Sequence, residues 1–196
     1  MRQDLPRRAE RLLDRWFGPP GDPGREAARQ IWFESTPEFD ALLRREFLAD
    51  HEDAAAGRLA SWEASAEAAL ALVLLLDQIP RNIFRGSPRA YANDALARAA
   101  ADRALARGFD RAVPCAWRGF FYLPLEHSED LADQERALAL FAALPPTAES
   151  PDPLRHARRH HEIIARFGRF PHRNAVLGRA STPVELAFLA EPDSSF

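Results

Sequence analysis

The residues with the most chemistry in them lie between Ile163 and Asn174. Three Arg, a His and an Asn are interleaved there with two Phe around a Gly and a Pro. A solvated loop has no use for two Phe, and a buried helix does not easily hold three Arg. The stretch is therefore expected to sit half inside a core, with its polar groups held in place. From Arg155 to Arg173 six Arg face one acid, Glu162. Guanidinium forks match carboxylates and phosphates, so this excess calls for an anion. Asp77, Glu126 and Glu129 are the internal candidates. A phosphate, a carboxylate or an acidic peptide would be the external ones.

Two further segments concentrate polar residues. The first runs from Leu76 to Arg85. Asp77 comes straight off an apolar helical run, so its carboxylate is expected near the core, with Arg81 and Arg85 as the nearest partners. Gln78 and Asn82 lie beside it. The segment reads either as a binding site where the helix breaks or as an Asp–Arg clasp that fixes the turn. The second runs from Tyr122 to Asp130. Ser128 has the character of an N-cap, with Glu129 and Asp130 favouring the helix dipole. That leaves His127 unexplained; it suits a general base beside carboxylates or a hydrogen-bonded structural residue.

Helical spacing puts His160, Ile163, Ile164 and Phe167 on one face, so His160 points inward while Arg158 and His161 point elsewhere. Gly168 ends that helix as a C′ residue would. Carboxylates and His are present, but the Glu-x-x-His pairs of a di-iron bundle and the His-Glu-x-x-His of a zinc protease are not. The expectation is no metal and no cofactor. Gly-rich phosphate loops and the Gly-x-Ser-x-Gly elbow are also missing. The single Cys115 reads as a small core residue.

All 26 basic residues of the 196 are Arg. Without Lys there is no Schiff-base chemistry and no Walker lysine. A net charge of -3 argues against general nucleic-acid binding. One Cys fits a reducing compartment. The N-terminus carries no apolar signal core, and the longest apolar run, Ala68 to Leu76, is too short to span a bilayer. A cytoplasmic protein without membrane contact is expected.

Ala, Leu, Arg and Glu dominate, helix signals recur, and no segment alternates like a strand. Thr36-Pro37, Ser87-Pro88, Asp152-Pro153 and Thr182-Pro183 each read as N-cap followed by N1, where Pro loses nothing. Thr182 and Glu185 complete a capping box. The expected helices are Leu5 to Phe17, Arg25 to Phe33, Glu38 to Ala49, Trp62 to Gln78, Arg89 to Arg107, Pro114 to Leu123, Glu129 to Leu144, Leu154 to Phe167 and Pro183 to Ala190. The fourth, apolar nearly all round, is expected to be central and to end at Pro80. Gly18 to Gly24 and Pro145 to Pro153 read as loops, so residues 1–196 are expected to form one all-α domain.

Three strings resemble the bacterial family known as domain of unknown function 924: Leu-Asp-Gln-Ile-Pro-Arg-Asn-Ile-Phe-Arg-Gly from Leu76, Tyr-Leu-Pro-Leu-Glu-His-Ser-Glu-Asp from Tyr122, and the Ile163–Asn174 stretch. The resemblance covers nearly the whole chain. It implies a tetratricopeptide-like fold of antiparallel helix pairs and no established activity. Its motif positions fall on Asp77, Gln78, Arg81, Asn82, Arg85, Glu126, His127, Ser128, Glu129, His160, Arg166, Arg169, His172, Arg173 and Asn174. The leading functional expectation is a binding module in which Arg81, Arg85, Arg166, Arg169 and Arg173 take a small anionic ligand or an acidic peptide. The alternative is an enzyme acting on a small anionic substrate, with His127 or His172 as base and Asp77 or Glu129 orienting it. A third reading has these groups pair only among themselves. The single-site idea requires the three segments to meet in space.

Overall fold

The fold was derived from a computed structural model, which describes residues 5–32, 35–145, 153–192 and 194. Among them there are eight α-helices and no strand: α1 (Arg7–Phe17), α2 (Pro37–Ala55), α3 (Ala66–Ile83), α4 (Asp94–Ala106), α5 (Cys115–Glu126), α6 (Leu131–Ala142), α7 (Pro153–Phe167) and α8 (Pro183–Leu189). The expected all-α class holds.

Consecutive helices pair antiparallel, as their cross-links show. Arg85 near the end of α3 meets Asp40 near the start of α2, while His51 late in α2 meets the Leu75 carbonyl. Arg81 reaches Asp94 at one end of the α3–α4 pair, and Glu63, just before α3, reaches Arg103 at the other. Gln134 of α6 donates to the Glu126 carbonyl of α5, with Phe141 edge-on to Tyr122 further along. α3 is the central helix: from Ala68 to Leu76 every residue is buried, and α1, α2, α4 and α5 all pack on it. Phe17 stacks on Trp117 at 4.1 Å and Trp16 meets Phe120 edge-on, which fastens α1 to α5. A second, smaller apolar cluster, Ile163, Ile164, Phe170 and Phe188, holds the C-terminal turns against α7.

The caps fall largely where proline placed them. Thr36 and Ser87 accept from the backbone two or three residues on, and Thr182 with Glu185 forms the reciprocal capping box. Asp152 lies outside the described residues, as does most of the Pro145 to Pro153 loop. Gly168 ends α7 with φ 67°, a left-handed turn that glycine adopts without strain.

Several boundaries differ from expectation. Pro80 does not end α3; the helix runs to Ile83, and Pro124 likewise sits inside α5. Each proline forfeits one backbone hydrogen bond, but burial on both sides outweighs that loss. Of the expected helix Arg25 to Phe33, the described residues 25–32 form no α-helix, and Phe33 lies outside the described residues. The Arg29 guanidinium and the Trp32 indole both donate to the Trp16 carbonyl at 2.8 Å, and the Arg25 carbonyl accepts from Trp117. The segment is spent on capping α1, and only a single 3₁₀ turn, Gln30–Trp32, remains. α3 and α4 start later than expected, each after a short 3₁₀ turn. Cys115 is half-buried at the head of α5 and is not part of the core. Among the described residues no helix is long and apolar enough to cross a membrane.

Candidate functional site

Asp77 stands one turn before the end of the central helix and is fully buried. A carboxylate there is costly unless paired, and it is paired several times. His127, the first residue beyond α5, donates from Nδ1 to its Oδ1 at 2.8 Å. Gln78 donates to Oδ2 at 2.7 Å, and Arg81 lies 3.4 Å from Oδ1. Burial alone would raise the pKa of Asp77, but Arg81 and His127 outweigh it and hold the carboxyl well below the usual range. Burial, then the positive Arg81, push His127 down against the pull of Asp77. His127 is therefore a neutral imidazole fixed by a carboxylate.

Arg81 forks onto Asp94 with bonds of 2.9 and 3.2 Å. Asp94 also carries Arg173, more distantly at 3.4 Å. Arg173 is 5% exposed and sandwiched between the rings of Tyr91 and Phe170. It donates to the His127 carbonyl at 3.1 Å, while its Nε is buried with no hydrogen-bond partner. Burial, reinforced by Arg81, lowers Arg173 to about 10. Two guanidiniums thus share one carboxylate, and Arg173 has the weaker half.

Beside this lies a second carboxylate–His pair. Glu126 Oε1 is 3.0 Å from Nδ1 of His160, which also bonds the His156 carbonyl. Burial first, then the charge of Asp77, push Glu126 up to about 8, and burial drives His160 well below its ordinary value. Both shifts favour the uncharged forms, which disfavours an ion pair between the two groups. The His127 and His160 rings are 6.1 Å apart.

The three polar segments therefore meet. Asp77 comes from the first, Glu126 and His127 from the second, and His160 with Arg173 from the third. Other expected site residues go elsewhere. Asn82 and Arg85 bind Asp40 and, through Asn82, Ser35, tying the start of α2 to the end of α3. Arg85 is thus not a partner of Asp77. Glu129 accepts from Arg179 at 2.7 and 3.0 Å and from the Phe170 N–H at 2.8 Å, and the buried Asn174 supports Arg179 and bonds Ser181. Glu129 orients neither His. His172 is lowered to about 4 by burial and then by Arg173, and its ring lies 5.6 Å from that of Phe170. Arg169 forks onto Glu185 at 2.7 and 2.8 Å, an internal partner where an external anion was expected. Arg166 is exposed, its guanidinium over the rings of Phe167 and Phe188. Ser128 is not the cap of α6: Asp130 is, accepting from the Ala132 N–H, and Ser128 instead donates to Asp133. A surface depression of about 500 Å³ lies along α1, lined by Arg7, Glu10, Arg11, Asp14, Arg15 and Pro19, and holds none of these side chains.

Sequence reading missed Asp94, Tyr91, Arg179 and the second role of Glu185. Within the expected helix Arg89 to Arg107, Asp94 reads as an ordinary surface acid, whereas it opens α4 in the structure. Only tertiary structure sets it between two arginines.

Fold and cluster together define an all-α protein built around two buried carboxylate–histidine pairs and an arginine pair. The chain belongs to the family of bacterial proteins of unknown function DUF924, whose model matches residues 12–193. It is similar to a solved structure of a protein of unknown function from Agrobacterium tumefaciens, with 43% identity and a TM-score of 0.83 over 93% of this chain and 96% of that one. None of the curated proteins matches it.

Proposed function

We propose that the Asp77–His127 pair is a general-base dyad acting on a small anionic substrate whose charge is met by Arg173. The 2.8 Å bond from His127 Nδ1 to Asp77 carries this reading. A carboxylate that accepts from Nδ1 fixes the proton on that nitrogen and leaves the lone pair on Nε2. Nε2 has no hydrogen-bond partner among the described residues. The neutral ring is the form that takes a proton. The 13% of the His127 side chain that remains exposed is the point of approach.

Arg173 supports the substrate class. Its Nε lacks a partner, and the nearest carboxylate is already gripped by Arg81. An incoming carboxylate or phosphate would complete its neutralisation. This favours the enzymatic reading over a broad arginine surface, because Arg81, Arg85 and Arg169 each hold an internal carboxylate.

The test is a panel of small carboxylates and phosphate monoesters, scored by thermal shift and by proton NMR for conversion. A ligand that raises the melting temperature at millimolar concentration and is converted supports the proposal. His127→Gln should abolish conversion while keeping the shift, and Arg173→Gln should lose the shift. Conversion undiminished in His127→Gln refutes the dyad. Silence across the panel returns the cluster to a structural role.

A further inference from the structure

The outward face of α7 gathers exposed arginines, which elsewhere in the chain occur singly or paired with acids. Arg155, Arg158, Arg159, Glu162 and Arg166 recur at i, i+3, i+4, i+7 and i+11, a stripe about 100° wide and about 16 Å long. The opposite face is buried through Ala157, His160, Ile163 and Ile164. The helix carries four Arg against one Glu, a local +3 on a chain whose net charge is -3. Elsewhere, many part-exposed arginines hold acids, such as Arg15 with Glu46, Arg58 with Asp53, Arg103 with Glu63 and Arg136 with Asp102, while Arg7 and Arg111 stand singly in solvent. On α7, Arg155, Arg158 and Arg166 make no ion pair or hydrogen bond among the described residues. Glu162 sits 3.7 Å from Arg159 and offsets one charge at most. Arg159 and Arg166 lie over the Phe188 ring, and Arg166 also over Phe167, so these two guanidiniums are pre-positioned.

We propose that this stripe is a docking surface for an acidic segment of a partner protein, with carboxylates spaced one helical turn apart. The surface is distinct from the His127 site and does not depend on the reading given for it. Charge complementarity selects the occupant. A short acidic segment feels the local excess, since charges beyond about 8 Å are screened at physiological salt. A long polyanion such as a duplex would run past the stripe onto a net-negative surface. A membrane is disfavoured because the apolar residues of α7 face the core and leave none to insert.

The experiment uses a fluorescent Ala-rich peptide with Glu at every fourth position, against the same peptide with Gln, on the full chain. The Glu peptide should bind at low salt and weaken by about tenfold or more in high salt. Arg155→Glu/Arg158→Glu/Arg166→Glu should abolish binding with the melting temperature kept. The double variant Arg155→Glu/Arg158→Glu, which disturbs no ring contact, should weaken it by about tenfold and keeps the test decisive if the triple variant does not fold. Absence of binding at low salt, equal binding of the Gln peptide, or undiminished binding by the double variant overturns the proposal. Preference for duplex DNA or phosphatidylserine vesicles over the Glu peptide overturns it as well.

Discussion

The cluster around Asp77 and the outer face of α7 use the same side chain in opposite ways. In the cluster, Arg81 is half-buried and forked onto Asp94, while Arg173 is buried between two rings with a single 3.4 Å contact to the same carboxylate. On α7, three turns of arginine stand in solvent with one glutamate among them. One excess of Arg between Arg155 and Arg173 thus divides by burial. Arg169 and Arg173, beyond the Gly168 turn, point back into the protein and find acids. Arg155, Arg158 and Arg166, on the helix itself, are exposed, with Arg159 half-buried over Phe188 beside them. The cost of burying an unpaired charge forces pairing inside and leaves the outside unconstrained.

The comparison breaks most visibly at Asp77. Asp77→Ala leaves Arg81 with Asp94 alone and removes the fixing partner of His127, and should cost about 3–5 kcal/mol in urea unfolding. A loss below about 1 kcal/mol would mean that the Asp77 pairings do not support the fold.

Glu126 sharpens it in the other direction. Its folded value of about 8 lies above the ordinary 4.5, so folding takes up a proton between those pH values. Stability must therefore fall as pH rises from about 4.5 to about 8. Glu126→Gln should flatten this slope and be more stable than the parent at pH 8 by about 1–3 kcal/mol, with the advantage gone near pH 4.5. Unfolding curves across the range decide it.

How much of this was legible beforehand differs between the two regions. The stripe is written in helical spacing, and so is the inward turn of His160, because a helix face follows from periodicity. That the three polar segments meet is inferred from poorly explained polarity; Asp77, His127, His160 and Arg173 do gather, but Arg166 stands exposed over Phe167 and Phe188 outside the cluster. The partners were not legible. Asp77 was matched to Arg85 by nearness in sequence, but Arg85 lies past the end of α3 and turns to Asp40. Asp94, Glu185 and Arg179 complete the pairings from 13 to 50 residues away, which no local rule specifies. Pro80 and Pro124 read as helix ends because local propensity was trusted where core packing decides.

The Arg169–Glu185 clasp is intermediate between the two regions. The Arg169 bond, then the Thr182 N–H, lower Glu185 to about 2 from the ordinary 4.5. Its contribution is present above about 4.5 and disappears as pH falls through about 2. Glu185→Gln should lower the melting temperature at pH 7 and narrow the gap to the parent at pH 2. At the far end, Arg155→Ala and Arg158→Ala should each leave stability within about 0.5 kcal/mol. A larger loss would show that the stripe supports the fold.

The central claim is that burial and Arg81 keep His127 neutral, while Asp77 holds its proton on Nδ1 and leaves Nε2 available. Nitrogen-15 NMR of histidine-labelled protein, titrated through neutral pH and assigned with His127→Gln, measures this directly. The account predicts a neutral Nδ1–H tautomer for His127 at pH 7 that protonates only below the ordinary histidine range, and a change of tautomer population in Asp77→Ala. A His127 that is doubly protonated at pH 7, or that carries its proton on Nε2, would contradict it.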